Sequence, residues 1–283
     1  MLEEAIHLGD NMELLPRLPS AAFQLIYLDP PFNTGREQRR LRLATDADDK
    51  GDRTGFGGRT YRTTVLGSSA YDDRFDDYLG FLEPRLREAH RLLQSEGSLY
   101  LHLDSRESHY AKVLLDGIFG RDCFLNEIVW AYDYGARTKR RWPAKHDTIL
   151  VYVKDPETYF FDGEAVDREP YMAPGLQTPE RAARGKLPTD VWWHTIVSPT
   201  GREKTGYPTQ KPLGVLRRIV QASSREGDWC LDAFAGSGTL GAACLDLGRR
   251  PVLCDSSPEA VAVMHDRLGL PVRSVEPPAR AAR

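Results

Sequence analysis

Apolar positions along the chain follow two periods in alternation. Short β-rich runs over 24–28 (QLIYL), 98–103 (SLYLHL), 127–132, 148–153 (TILVYV), 229–233 and 251–254 predict strands. Over 78–93, Leu79, Leu82, Leu86, Ala89 and Leu93 recur at alternating steps of three and four, which predicts an amphipathic helix. Over 105–119 the same reading puts Tyr110, Val113, Leu114 and Ile118 on one helix face. Further helices are predicted over 213–223, with Pro212 as a first-turn residue, over 239–247, and over 257–268, capped by Ser256 or Ser257. Glu96-Gly97 reads as a helix stop before a strand. Asp29-Pro30-Pro31 closes the first strand, because proline cannot continue a ladder. Strands alternating with helices predict an α/β fold: a Rossmann-like, mixed but mainly parallel sheet with helices on both faces.

Two stretches interrupt this rhythm. Residues 33–69 lack periodicity and are rich in Gly, Arg, Asp and Thr, so a long mobile loop is expected. Residues 162–202 are rich in Pro, Gly, Arg and aromatics and read as a small irregular insertion. The tail from Val272, with Pro277 and Pro278, is expected to fray.

With 283 residues, 41% of them hydrophobic, the chain suits one large domain that needs no staples. Cys123, Cys230, Cys244 and Cys254 lie far apart, so neither a disulfide framework nor a zinc cage is expected, and no metal site is assigned. The first residues, MLEEAIHLGD, are acidic where a signal peptide is basic, and no apolar run is long enough to span a membrane. A soluble, cytoplasmic protein is the expectation. The net charge of −3 argues on average against a polyanionic partner. The basic residues are clustered, however, and an average hides such clusters.

Chemistry concentrates in two turns. Asp232-Ala233-Phe234-Ala235-Gly236-Ser237-Gly238-Thr239 joins a predicted strand to a predicted helix. Gly236, Gly238 and Gly241 satisfy G-x-G-x-x-G, and Asp255 ends the next strand, where a ribose-binding acid belongs. No Lys follows the second Gly, so the phosphate loop of nucleotide hydrolases is not matched. A nucleoside-containing cofactor fits. NAD is one candidate, but too little chain follows Asp255 for a second mononucleotide half unless the fold is permuted. A plain strand–helix turn is the other reading. The second turn, Asp29-Pro30-Pro31-Phe32, holds a carboxylate and a carbonyl rigidly at a strand's carboxyl end, with an aromatic face beside them. Two acceptors of this kind suit an exocyclic base amine, whose N–H groups they hold so that its lone pair is exposed.

The two turns in this order resemble the permuted, β-type family of DNA amino-methyltransferases. There the catalytic motif precedes the cofactor motif, as DPPF at 29–32 precedes FAGSG at 234–238. Tyr207-Pro208-Thr209-Gln210-Lys211-Pro212 resembles the family's T-x-K-P motif, and Asp190-Val191-Trp192 and Leu8-Gly9-Asp10 also resemble these enzymes. The resemblance implies S-adenosylmethionine as cofactor and double-stranded DNA as substrate, with methylation of adenine N6 or cytosine N4 on a base turned out of the helix. It implies a catalytic set of Asp29, Pro30, Pro31 and Phe32. It implies a cofactor set of Asp10 for adenine, Asp255 for ribose, Phe234, Gly236, Ser237, Gly238 and Thr239 for the methionine end with Asp232 and Ala235, and Thr209, Gln210, Lys211 and Pro212. Asp at the first catalytic position favours adenine by the same resemblance. The expected organisation is a single methyltransferase domain, 1–283. Its catalytic half is 1–160 and its cofactor half 205–270, with the loop at 33–69 and a target-recognition insertion at 134–204. A homodimer is implied by resemblance only, and no restriction domain is read in the chain.

Duplex binding needs phosphate neutralisation. The expected DNA contacts are Asn33, Arg36, Arg39 and Arg40 after the catalytic turn, then Arg137, Lys139, Arg140, Arg141 and Lys145, and Lys204. Trp192, Trp193 and His194 fit either this interface or the core, and His102 and Asp104 are candidates for the base pocket.

Overall fold

The computed structural model describes residues 2–34, 36–47, 53–54, 60–133, 138–198 and 201–275. The first half of the chain forms β1 (Ala5–Leu8), α1 (Asn11–Leu14), β2 (Phe23–Leu28), β3 (Arg36–Ala47), β4 (Arg53–Thr54), β5 (Thr60–Asp73), α2 (Tyr78–Leu92), β6 (Leu93–Leu103) and α3 (Ser108–Phe119). The second half forms β7 (Phe124–Ala131), β8 (His146–Val153), α4 (Pro179–Arg184), β9 (Val191–Trp193), α5 (Leu213–Ser223), β10 (Trp229–Asp232), α6 (Thr239–Asp246), β11 (Arg250–Asp255), α7 (Pro258–Leu268) and β12 (Val272–Ser274).

Among the described residues, nine strands build one sheet in the order β12-β1-β11-β10-β2-β6-β8-β7-β9. Only β8 runs against its neighbours, pairing antiparallel with both β6 and β7. The expected mixed, mainly parallel sheet is therefore present. Strand β2 is buried at every position, as a central parallel strand must be. Each fully buried Leu or Ile there contributes roughly 1.5–3 kcal/mol. A one-residue slip would exchange its two faces. The register that results, Cys230↔Leu25, Leu231↔Ile26 and Asp232↔Tyr27, joins strands from opposite ends of the sequence.

Helices cover both faces. Val215, Leu216, Ile219 and Val220 of α5 and Ala243 and Cys244 of α6 pack with Tyr27, Tyr100, Trp130 and Val151 on one. Tyr152 alternates with Val151 and points the other way, where its hydroxyl donates to Asp116 Oδ1 of α3 at 2.6 Å.

Several expectations need correction. The segment expected as a mobile loop, 33–69, carries strands: β5 pairs antiparallel with β3 from Arg36↔Asp73 to Ala47↔Tyr61, and with β4. Backbone pairing makes this ladder, and it needs no apolar period to announce it. It forms a separate compact unit, 33–76 by number, distinct from the rest of the chain. Helix α3 starts at Ser108 and buries Ser108, Ala111, Leu115 and Phe119. The face expected inside leaves Tyr110 63% and Val113 70% exposed. The two stripes share one period, so spacing alone does not choose between them. Gly97 lies inside β6 rather than at a helix stop, and Pro212 is the N-cap of α5 rather than its first turn. The expected frayed tail begins with β12, which pairs with β1 (Ile6↔Val272). The irregular insertion contributes β9 to the sheet edge, and Trp192 is core while Trp193 is exposed. Of the two serines considered, Ser257 caps α7 by accepting from the Ala260 amide.

Candidate active site

The carboxyl ends of β1, β11, β10, β2, β6, β7 and β9 lie along one edge of the sheet, because these strands are mutually parallel or separated only by β8. Ligands bind at such edges in α/β proteins. Asp10, Asp255, Asp232 and Asp29 follow or end four of these strands, which are consecutive in the sheet order. The pairing of β10 with β2 thus brings the two sequence turns side by side.

At the end of β2, Asp29 is only 17% exposed. Lys211, from the loop entering α5, places Nζ 2.8 Å from each carboxylate oxygen. The Phe32 ring centroid is 4.9 Å from the same Nζ. Tyr78 donates its hydroxyl to the Pro31 carbonyl at 2.6 Å and pins the turn to α2. Asp29, Pro30, Pro31, Phe32 and Lys211 are therefore one cluster.

The glycine turn is fastened on several sides. Gly238 caps α6 with φ +72, and a Cβ there would lie 2.8 Å from Met264 Cγ. The Gly236 amide donates to Asp255 Oδ2 at 2.8 Å, while Ser257 donates to Oδ1. Thr239 Oγ1 donates to the Lys211 carbonyl at 3.1 Å and ties this turn to the Asp29 cluster. Asp232 is fully enclosed and accepts from the Phe234 amide; burial, with Asp29 and Asp255 nearby, raises its pKa well above the carboxylate range. Gln210 spends its amide within its own loop, accepting from Thr205 and donating to Glu203, while Thr209 is exposed.

Arg85 and Asn11 are among the residues that sequence reading missed. Asp10 caps α1 through the Met12 amide, and Arg85 of α2 meets it at 3.3 Å. Arg85 also donates to Asn11 Oδ1, and Asn11 in turn donates to the Ala233 carbonyl beside the glycine turn. A charged residue inside the apolar stripe of α2 was the available signal for Arg85. Nothing comparable marked Asn11.

His102, a candidate for the base pocket, is fully buried behind Asp29. Its Nδ1 lies 2.7 Å from the Tyr27 hydroxyl and its Nε2 3.3 Å from Asp147 Oδ2. Burial and the surrounding carboxylates push the Tyr27 hydroxyl well above its ordinary range, so Tyr27 keeps its proton, and the direction of its hydrogen bond with Nδ1 follows the protonation of the imidazole. Burial alone would raise Asp147, but the His102 hydrogen bond and charge, Lys211 and Tyr132 outweigh it and hold the carboxyl low. Asp104 follows β6 at the same edge and binds Arg106.

Among the expected DNA contacts, Lys139, Arg140 and Arg141 are exposed in the loop between β7 and β8, and Lys204 is exposed before α5; both loops lie at the carboxyl edge. Lys145 is half-buried, 4.0 Å from Asp133 Oδ1. Arg36, Arg39 and Arg40 belong to β3, and Asn33 accepts from the Phe75 amide within the second unit. Arg137 lies outside the described residues.

Comparison with known proteins gives a consistent picture. A family profile described as DNA methylase, covering N6 and N4 enzymes, matches residues 23–266. The type II methyltransferase M.HpaI of Haemophilus parainfluenzae is 28% identical, over 94% of this chain and 74% of its own. The DNA adenine methyltransferase YhdJ of Escherichia coli (strain K12) is 29% identical, over 86% of this chain and 74% of its own. Among solved structures, the cytosine-N4-specific PvuII DNA methyltransferase matches with a TM-score of 0.63 at 13% identity, over 94% of this chain and 86% of that one. An M1.HpyAVI–SAM complex matches with a TM-score of 0.59 at 20% identity, over 94% of this chain and 99% of that one. These structural likenesses show the fold.

Proposed function

Because the chain belongs to the N6/N4 DNA methylase family, we propose that it methylates the exocyclic amino group of a base in duplex DNA, adenine N6 in preference to cytosine N4, with S-adenosylmethionine as donor. The observation that carries this reading is the cluster in which the Asp29 carboxylate, at a strand end, stands beside the glycine turn, joined to it through Lys211 and Thr239.

The residues fit that cofactor. A close-packed glycine turn at a helix start, with the Asp255 carboxylate bound to its amide, provides donors and an acid of the kind a nucleoside with a ribose diol requires. Asp255 would hold the ribose, Asp10 the adenine, and the 234–239 turn the methionine end, with Lys211 near its carboxylate. Bound there, S-adenosylmethionine supplies an electrophilic methyl sulfonium.

The protein's own share is to bind and aim the amine. Asp29 and the Pro30 carbonyl accept its two N–H groups, which localises the nitrogen lone pair. Phe32 stacks on the base once it has left the helix. Asp29 then stabilises the positive charge on nitrogen and receives the released proton. Lys211 keeps the carboxylate balanced between turnovers. The exposed Lys139, Arg140 and Arg141, followed by Trp142 at 93% exposure, suit a phosphate and base contact.

Adenine is favoured because Asp29 occupies the first position of the catalytic turn and because YhdJ is named as an adenine enzyme. The test is expression in a host without DNA methylation, followed by nucleoside digestion and mass spectrometry. N6-methyladenine is expected with the wild type and none with Asp29→Ala. N4-methylcytosine would reassign the base, and no methylated nucleoside would remove the activity.

A further inference from the structure

His102 stands where it can hold the whole catalytic turn. Strand register aligns Leu28 with Leu101, so the next positions across the β2–β6 pair are Asp29 and His102. Tyr27 and Asp29 are two residues apart and lie on the same side of the chain. His102 meets both, with Nδ1 2.7 Å from the Tyr27 hydroxyl and 3.9 Å from Asp29 Oδ1. Its ring is also 5.9 Å from the Phe32 ring, centroid to centroid, so it touches the turn before, at and after the carboxylate. Behind it, Asp147 of β8 takes Nε2 at 3.3 Å and in turn accepts from the Tyr132 hydroxyl at 3.0 Å. Trp130 packs edge-on against the same ring at 5.5 Å.

A ring with no exposure and a hydrogen bond on each nitrogen cannot turn without leaving a buried polar atom unpaired. We propose that His102, oriented by Asp147, is a positioning residue that fixes Tyr27, Asp29 and Phe32 in the geometry that receives the target amine. The assignment rests on the role of Asp29 proposed above. The groups facing the imidazole are Tyr27 and Asp29 from β2 and its turn and Asp147 from β8, with Lys211 beyond Asp29 and Tyr132 beyond Asp147.

Single-turnover methyl transfer and S-adenosylhomocysteine affinity, measured together, test the role. His102→Phe keeps a ring but loses both hydrogen bonds. It is expected to slow transfer about 100-fold with affinity unchanged, the scale of a displaced reacting group. His102→Gln keeps an amide able to bond both Asp147 and the Tyr27 hydroxyl, and is expected to recover to within about 10-fold of the wild type. A His102→Phe rate within about threefold of the wild type overturns the role. So does a His102→Gln rate as low as that of His102→Phe, since the imidazole would then be needed for chemistry. If His102→Phe does not unfold cooperatively, Asp147→Asn decides: transfer slowed about 10-fold supports the role and an unchanged rate overturns it. A wild type without activity removes the proposed function and this role together. With an active wild type and an inactive Asp29→Ala, the His102 result stands alone.

Discussion

The Lys211 ammonium bridges both oxygens of the Asp29 carboxylate at 2.8 Å, across 182 residues of sequence. Both side chains are less than one-fifth exposed, so water screens the pair poorly. Asp232 and Asp255 lie along the same edge, and an uncompensated Asp29 would join that row of acids. Lys211→Met is expected to slow methyl transfer about 100-fold, as loss of a preorganised charge partner does. Single-turnover rates on methylation-free DNA check this, and a rate within twofold of the wild type retires Lys211 from the site.

Gly238 sets the entry to α6. Its φ of +72 is left-handed, and an added Cβ would lie 2.8 Å from Met264 Cγ and 3.1 Å from Leu268 Cδ1, both of α7. Gly238→Ala is expected to cost about 1–3 kcal/mol from the backbone alone and to weaken S-adenosylhomocysteine binding, because the turn must shift. Urea unfolding and a binding titration read the two effects. Unchanged affinity would separate the turn from the cofactor.

Much of this architecture was readable in advance, and the reasons differ by element. Strand β2 and helix α5 were legible because burial imposes period and length on them, and the 213–223 reading of α5 matches its observed bounds. The nearness of the Asp29 turn to the glycine turn was implied by the family resemblance alone, since the β10–β2 pairing that creates it leaves no local signal. The β3–β5 ladder was illegible because its strands are mostly polar, so too few apolar residues mark a period. The α3 face is misread from sequence because two stripes share one period and spacing alone does not choose between them. The His102–Asp147 contact joins two strands at a register that no local pattern encodes. Asp147 was not singled out for that reason.

Two buried carboxyls give opposite pH dependences. Asp232 has a folded pKa raised well above 3.8 by burial, so folding favours its neutral form. Its contribution is fully present below its unfolded pKa and is lost as pH rises through the folded value. Asp232→Asn keeps an acceptor for the Phe234 amide and is expected to gain stability over the wild type as pH rises above about 4. Asp147 is shifted the other way: its folded pKa is lowered, so its contribution is present above 3.8 and is lost as pH falls below that. Asp147→Asn is expected to flatten the acid limb. Urea midpoints across pH measure both, and parallel curves for wild type and Asp232→Asn would show that Asp232 is ionised in the folded protein.

The net charge of −3 leaves little general attraction to a polyanion, so DNA affinity must come from local basic loops. Arg140 and Arg141 are exposed in the loop between β7 and β8, at the sheet edge that also carries Asp29. Each phosphate contact removed lowers the slope of log affinity against log salt by about 1. Arg140→Glu with Arg141→Glu is expected to weaken binding to any duplex and to reduce that slope by about 2. S-adenosylhomocysteine affinity should stay unchanged, because the glycine turn is untouched. Fluorescence anisotropy with a labelled duplex over about 50–200 mM salt measures the slope. If both slope and affinity match the wild type, these arginines are ordinary solvated surface, and the exposed cation before α5, Lys204, becomes the next to reverse, since its loop reaches the same edge.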